Sequence, residues 1–331
     1  MTDSNVRKVS LGKTGPSVFP LALGCMGMSG MYGESSDDES IATIRAAIER
    51  GVTLLDTGDF YGMGHNEMLI GRAIAGLRDK VQLSVKFGAL RGPDGAWIGV
   101  DTRPAAVATF CAYSLKRLGV EAIDVYRPAR LDPAVPIEET VGAIADLVKK
   151  GYVKHIGLSE VGPETIRRAA KVHPIVDLQI EYAIATRNPE TKIFPVLHEL
   201  GISATLYGVL SRGLLSGSKP TSMTDYRAHL PRFTGDHKDR NEQMVAKLAD
   251  FAKARGQTAA QLCIAWVRAM EPTFVPTVGA RTRAQLHDTL AALDKPLGAN
   301  ELAELERLFP RDAVKGDRYQ AMQMAHLDSE K

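Results

Sequence analysis

The spacing of apolar positions switches repeatedly between helical and extended periods. Over 36–51, Ile41, Ile44 and Ile48 share one helical face, Ser36 can cap the first turn with Glu39 reaching back to it, and Gly51 offers a left-handed stop. Residues 52–56 follow as a short apolar run of strand length. The alternation recurs as helix 66–77, strand 81–87, helix 104–118, strand 123–126, helix 136–150, strand 153–159 and helix 163–172. It continues with strand 176–182, helix 191–200, strand 203–207, paired helices within 241–270, strand 274–278 and helix 282–293. With 18–23 as the first strand, eight strands alternate with helices, and no low-complexity linker divides them. The pattern predicts one α/β domain over 1–331, a single (β/α)8 TIM barrel rather than a doubly wound sheet with a second domain. Two additions decorate it: a Gly-, Ser-, Lys- and Thr-rich loop over 214–240 after strand seven, and a C-terminal helix and tail from Ala299 onward. Loops on the strand C-terminal side carry the chemistry of such barrels, so the first addition is expected to cover a ligand.

Composition narrows the partners. The 331 residues are 44% hydrophobic and 24% charged, and 41 Lys and Arg against 39 Asp and Glu leave a net charge of +2 spread along the chain. That balance argues against a nucleic-acid or anionic-membrane footprint and for a small-molecule ligand, the protein being a monomer or a homo-oligomer. Three scattered cysteines, Cys25, Cys111 and Cys263, form neither a disulfide framework nor a zinc spacing. With a polar N-terminus and no apolar run of membrane-spanning length, a cytoplasmic protein is expected.

Strand 81–87 puts Val81, Leu83, Val85 and Phe87 on one face and Gln82, Ser84 and Lys86 on the other. If the apolar face meets the helices, Lys86 points into the barrel at the C-terminal end of the strand, where an ammonium requires a carboxylate. Asp56 stands at the equivalent end of the preceding strand, and Tyr61 follows in the loop DTGDFYGMGHNE. Asp, Lys and Tyr at one barrel mouth make a proton-donor device: the Lys charge favours tyrosinate and the Asp orients the Lys. The plainer alternative is a buried Lys–Asp pair beside a packed Tyr. Neither GCMGMSG nor GKT has a nucleotide-loop spacing, and His65 and Glu67 do not fit HExxH, so no metal is expected and His65 reads as a loop or helix-start residue.

The segments LLDTGDFYGMGHNEMLIGRAI, SVKFG, VPIEETVGAIADLVKKGYVKHIGLSE, DLQIEYAIATR and PTVGARTRAQL, in that order, resemble the aldo-keto reductase family over nearly the whole chain. The resemblance implies a barrel that uses a nicotinamide cofactor without a Rossmann domain, with Asp56, Tyr61 and Lys86 as three members of a catalytic tetrad and Tyr61 protonating the carbonyl oxygen. The fourth member, a His after strand four, is absent: YRPARLDPAVPIEE places Ala129 there, widening a pocket to which Tyr32, Trp97, Arg127 and Arg130 are the other candidate contributors. The resemblance also implies that Ser159 and Gln179 meet the nicotinamide carboxamide, with Glu160 beside them, and that Tyr207 is the ring on which the nicotinamide stacks. Arg212 is a candidate pyrophosphate contact, and Gly24 and Gly279 belong to the same cofactor set. In GARTRAQLHDT, Arg281 and Arg283 at a helix start can take a phosphate, which favours NADPH, while Gln285 and Asp288 fall at adenosine-binding positions and Thr289 replaces a usual Asn. The expected activity is NADPH-dependent reduction of aldehydes or ketones, adapted to bulky ketones. Two competing readings are an NADP(H)-binding sensor with weak turnover, because the His is lost, and an aldolase using Lys86 as a Schiff-base nucleophile.

Overall fold

Short apolar runs extend into eight strands: β1 (Ala22–Gly24), β2 (Leu54–Gly58), β3 (Gln82–Phe87), β4 (Ile123–Pro128), β5 (Val153–Ser159), β6 (Ile175–Glu181), β7 (Ser203–Tyr207) and β8 (Val275–Gly279). In the computed structural model, which describes residues 6–30, 33, 35–220, 222 and 225–331, the strands pair in parallel in chain order. β8 closes on β1 through the registers Thr277↔Ala22, Val278↔Leu23 and Gly279↔Gly24. The expected (β/α)8 barrel is therefore formed. Around it run α1 (Asp37–Glu49), α2 (His65–Ala73), α3 (Pro104–Leu118), α4 (Ile137–Lys149), α5 (Pro163–Val172), α6 (Pro189–Leu200), α7 (Gly235–Ala254), α8 (Ala259–Met270) and α9 (Arg283–Ala291), followed by α10 (Ala299–Leu308) and α11 (Ala321–Ala325).

The first strand departs from expectation. Pro20 has no backbone N–H to give a ladder, and the run over 18–23 splits at it. Ser17–Val18 instead pairs antiparallel with Val9–Ser10, and only Ala22–Gly24 joins the barrel. Leu11 and Val18 of that hairpin pack with Ala22, Leu54, Val125, Val176 and Val275 into a small apolar floor at the N-terminal end of the barrel. A plugged floor leaves the opposite end, where the strands point their C-termini, open to ligands.

Two other local expectations give way to tertiary partners. Ser36 caps α1 by accepting the Glu39 amide, but the Glu39 carboxylate does not return to it; Arg283, at the start of α9, takes it instead at 2.9 Å. The loop over 214–240 is largely folded: turns at Ser211–Ser216, Tyr226–His229 and Pro231–Phe233 lead into α7, which begins at Gly235 rather than near 241. Arg232 holds the segment down, donating to Ser211 Oγ, Thr186 Oγ1 and the Ala185 carbonyl. The three cysteines are free and buried, and burial pushes the Cys111 and Cys263 thiols up to about 12. Among the described residues no helix is long and apolar enough to cross a membrane.

Candidate active site

The period-two reading of β3 holds: Leu83, Val85 and Phe87 pack outward, while Ser84 and Lys86 enter the barrel, buried, and converge on Asp56. Lys86 Nζ lies 2.6 Å from Asp56 Oδ2. Asp56 Oδ1 accepts from Ser84 Oγ at 3.0 Å and from Gln179 Nε2 at 2.7 Å. Burial lowers the pKa of the Lys86 ammonium; the Asp56 carboxylate opposes that, and the Arg127 charge adds to it. A cation so placed stabilises negative charge forming beside it.

Arg127 is a correction. Expected at the substrate pocket, it is 0% exposed. It donates to Ser84 Oγ and Thr205 Oγ1 and pairs with Asp177 at 3.1 Å. The side chain lies inside the barrel, at a layer where Thr205, Ser84 and Asp177 hold its two terminal nitrogens. Gly157 makes room for this pair, since a Cβ there would stand 2.6 Å from Asp177 Oδ1.

Tyr61 is buried at 7% exposure, with the Lys86 ammonium 5.1 Å from its ring centroid. Its loop is pinned from beneath. Asn66 accepts from Thr57 Oγ1 and donates to the Cys25 carbonyl and to Ser29 Oγ. His65 bridges Ser29 Oγ, at 2.9 Å, and Asp37 Oδ1, at 3.1 Å, so both ring nitrogens are engaged in tethering the loop. Gly62 adopts φ 55, and a Cβ there would meet Ser29 Cβ at 3.0 Å and His65 Cβ at 3.1 Å, so a larger residue in the turn after Tyr61 would be strained.

Around the expected cofactor cradle, Ser159 is 1% exposed and its Oγ has no hydrogen-bond partner among the described residues. A buried orphan hydroxyl at the end of β5, beside the Gln179 amide on β6, fits the polar carboxamide of a nicotinamide. The Glu160 carboxylate is not available for that contact, since Arg318 Nη1 and Nη2, Ser329 Oγ, Tyr207 Oη and the Glu181 amide all donate to it. Burial pushes its pKa up, but Arg318 outweighs that and holds the carboxyl well below the usual range. Tyr207, half-buried, keeps one ring in the barrel mouth and directs its hydroxyl to Glu160 at 2.7 Å. Arg212 binds Glu181 at 2.9 Å and lies over the Tyr319 ring at 4.3 Å.

At α9, Gln285 Oε1 accepts the Arg281 amide, and Thr282 Oγ1 caps the first turn. Arg281 extends toward Gly33, whose Cβ position would be 3.7 Å from Nη1. Arg283 is turned away onto Glu39, and the Asp288 carboxylate is taken by Gln261 and Thr258 of the α8 start. Gly24 and Gly279 are register partners that leave the β1–β8 seam bare of side chains at the mouth.

Ala129 follows β4, its amide bonded to the Phe87 carbonyl at 2.8 Å, next to the strand that carries Lys86. Arg130 folds back to the Ala129 carbonyl at 2.7 Å and reaches the Tyr319 hydroxyl at 3.5 Å. Trp97 stands 47% exposed on the hairpin Ala89–Arg91/Trp97–Val100, and Arg91 lies between the Trp97 and Phe60 rings. Tyr32 lies outside the described residues. The sequence reading missed Arg318 and Tyr319. The available signal was electrostatic: Glu181 ends β6 on the inward parity of Asp177 and Gln179, and a buried carboxylate requires a cation from somewhere in the chain.

The closed parallel barrel thus brings a tyrosine, a lysine and an aspartate together at its C-terminal mouth. The Aldo/keto reductase family description matches residues 20–309. Probable aldo-keto reductase 1 of Glycine max is 40% identical over 328 residues, 96% of this chain and 93% of that protein. Among solved structures, the glycerol dehydrogenase AKR11B4 from Gluconobacter oxydans superposes with a TM-score of 0.84 at 25% identity, covering 95% of this chain and 98% of that one. Aldo-keto reductase AKR11C1 from Bacillus halodurans, in its holo form, gives 0.77 at 27% identity, covering 93% and 97%. The chain belongs to the aldo/keto reductase family of oxidoreductases.

Proposed function

We propose that this oxidoreductase reduces aldehydes or ketones to alcohols with NADPH as cofactor and Tyr61 as proton donor. When bound, NADPH supplies the hydride that reaches the carbonyl carbon. Ser159 and Gln179 would hold the carboxamide, Tyr207 would carry the nicotinamide face, and Arg281 would meet the adenosine phosphate. Tyr61 holds the proton at its hydroxyl, and the Lys86–Asp56 pair stabilises the phenolate that remains once that proton has passed to the substrate oxygen. The observation that carries the reading is the buried 2.6 Å Lys86–Asp56 pair beside Tyr61 at the one barrel end not plugged by apolar side chains. A Schiff-base role for Lys86 fits less well, because a nucleophilic amine would be held neutral and free rather than clamped to a carboxylate.

The test measures binding and chemistry separately. NADPH should bind at least about tenfold more tightly than NADH, the effect of one charge-assisted contact to the extra phosphate. Tyr61→Phe should leave that affinity within twofold while slowing single-turnover reduction of an activated aldehyde by roughly two to four decades. A Tyr61→Phe rate near that of the native enzyme removes Tyr61 as the donor.

A further inference from the structure

We propose that the C-terminal segment is part of the nicotinamide subsite: Arg318, through Glu160 and through its own 3.4 Å hydrogen bond to the Tyr207 hydroxyl, fixes the Tyr207 ring in the orientation that receives the nicotinamide. The inference rests on the reading of Tyr207 as the stacking platform and adds a positioning residue that lies outside the barrel.

The tail is stitched to the mouth at several independent points. Asp328 Oδ2 accepts the Gly162 amide and Thr165 Oγ1, both at 2.7 Å, and the Ser329 amide donates to the Glu160 carbonyl at 3.3 Å. Arg318 spans three carboxylates, Glu160 at 2.6 Å, Glu330 at 2.8 Å and Glu181 at 3.6 Å, and is only 3% exposed. Five donors converge on the Glu160 side chain, one of them the Tyr207 hydroxyl. Glu160 itself sits at φ 52, a left-handed conformation costly for a residue with a Cβ, and it persists where the surroundings over-determine it. Tyr319 closes the other side, with its hydroxyl 3.1 Å from that of Tyr207 and the Arg212 guanidinium against its ring.

These contacts have a directional consequence. A tyrosine at a strand end keeps freedom about its side-chain torsions, and a stacking partner is productive only at one ring attitude. Holding the hydroxyl between Glu160 and Tyr319 removes that freedom before any ligand arrives. Burial, and then the Glu160 charge, push the pKa of the Tyr207 hydroxyl above the ordinary tyrosine range, which favours the protonated form that donates to the carboxylate. Removing Arg318 leaves Glu160 buried with its main counter-charge gone, and the anchor for the ring goes with it.

A tail that merely clamped the barrel would affect both halves of the cofactor alike. The experiment therefore titrates full-length protein with two fragments, reduced nicotinamide mononucleotide and adenosine 2′,5′-bisphosphate, by calorimetry. Arg318→Met should weaken the mononucleotide by about tenfold or more and leave the bisphosphate within about twofold, the loss expected of one charge-assisted link. Arg318→Lys, which keeps the charge but loses the fork, should fall between and serves equally if the Met variant does not fold. Tyr207→Phe keeps the ring and removes its tether, so it should show a similar selective loss, and combining it with the Arg318 variant should add little. Equal losses for both fragments, no loss for either, or multiplying losses in the double variant overturn the proposal. Tyr207→Ala separates the premises: if it leaves mononucleotide binding intact, the platform reading itself is wrong, whereas if it abolishes binding while the Arg318 variants bind normally, only the role of the tail is wrong.

Discussion

At the scale of single residues, Ala129 is the departure from the family pattern that falls among the expected catalytic positions. Ala129 is buried, its amide is held by the Phe87 carbonyl beside Lys86, and Arg130 donates to its carbonyl. An imidazole in that place would add a hydrogen bond to the carbonyl oxygen and occupy space next to Tyr61. Ala129→His is therefore expected to raise kcat/KM for a small aldehyde relative to a polycyclic ketone by about tenfold or more. Exclusion of a rigid ring system outweighs the few kcal/mol that one hydrogen bond supplies. Ratios measured in both proteins decide it, and an unchanged ratio removes Ala129 from the pocket. The residues at this scale were unevenly legible. Lys86 and Asp56 followed from strand parity and the cost of a buried ammonium. Arg127 misled, because its place near the end of β4 gives its neighbourhood and not the depth at which Asp177, Ser84 and Thr205 capture the group.

At the scale of elements, the loop from β2 into α2 carries Tyr61, and it also holds a buried acid. Asp59 is 7% exposed, accepts the Gly88 amide at 3.3 Å and has one oxygen without a partner among the described residues. Burial, and then the charge of Glu67, raise its pKa from 3.8 to about 7. The sign is opposite to that of a salt-bridged carboxylate: between pH 4 and 7 the folded state holds a proton that the unfolded state has lost, so stability from this group falls as pH rises through 7. Asp59→Asn should therefore be more stable than the native protein at pH 8, by roughly 2–4 kcal/mol, with the two converging near pH 4. Denaturant midpoints at the two pH values check it, and a pH-independent difference would contradict it. The helix and strand order was legible because period and punctuation agree along most of the chain. The first strand and the Glu39 side chain were not, because a proline and a distant arginine respectively decided them.

At the scale of the whole molecule, an apolar floor, a charged middle layer and a polar mouth stack along one barrel axis. The middle layer is the Arg127–Asp177 pair with Thr205 and Ser84 around it. Breaking a buried pair from one side strands the other charge, and Arg127→Met is expected to cost about 3–5 kcal/mol. Replacing both members, Arg127→Met with Asp177→Leu, should recover most of that loss. Thermal and denaturant unfolding of the three proteins measure this, and a double variant as unstable as the single one would mean that the layer is held by something other than charge pairing.

The sequence by itself determined the eightfold alternation, the inward face of β3 and the meeting of Asp56, Tyr61 and Lys86 near one end, since these depend on local period and on which neighbours a strand must have. Tertiary structure decided which polar groups stay free and which are consumed. Glu160, Arg283 and Asp288 were open to ligands as far as their spacing could say. Their carboxylate and guanidinium groups instead find partners 158, 244 and 27 positions away along the chain, in Arg318, Glu39 and Gln261. The same closure left the Ser159 hydroxyl buried with no hydrogen-bond partner among the described residues. Period is a property of adjacent residues, whereas satisfaction of a buried charge is settled only when the barrel has closed and the tail has packed across its rim.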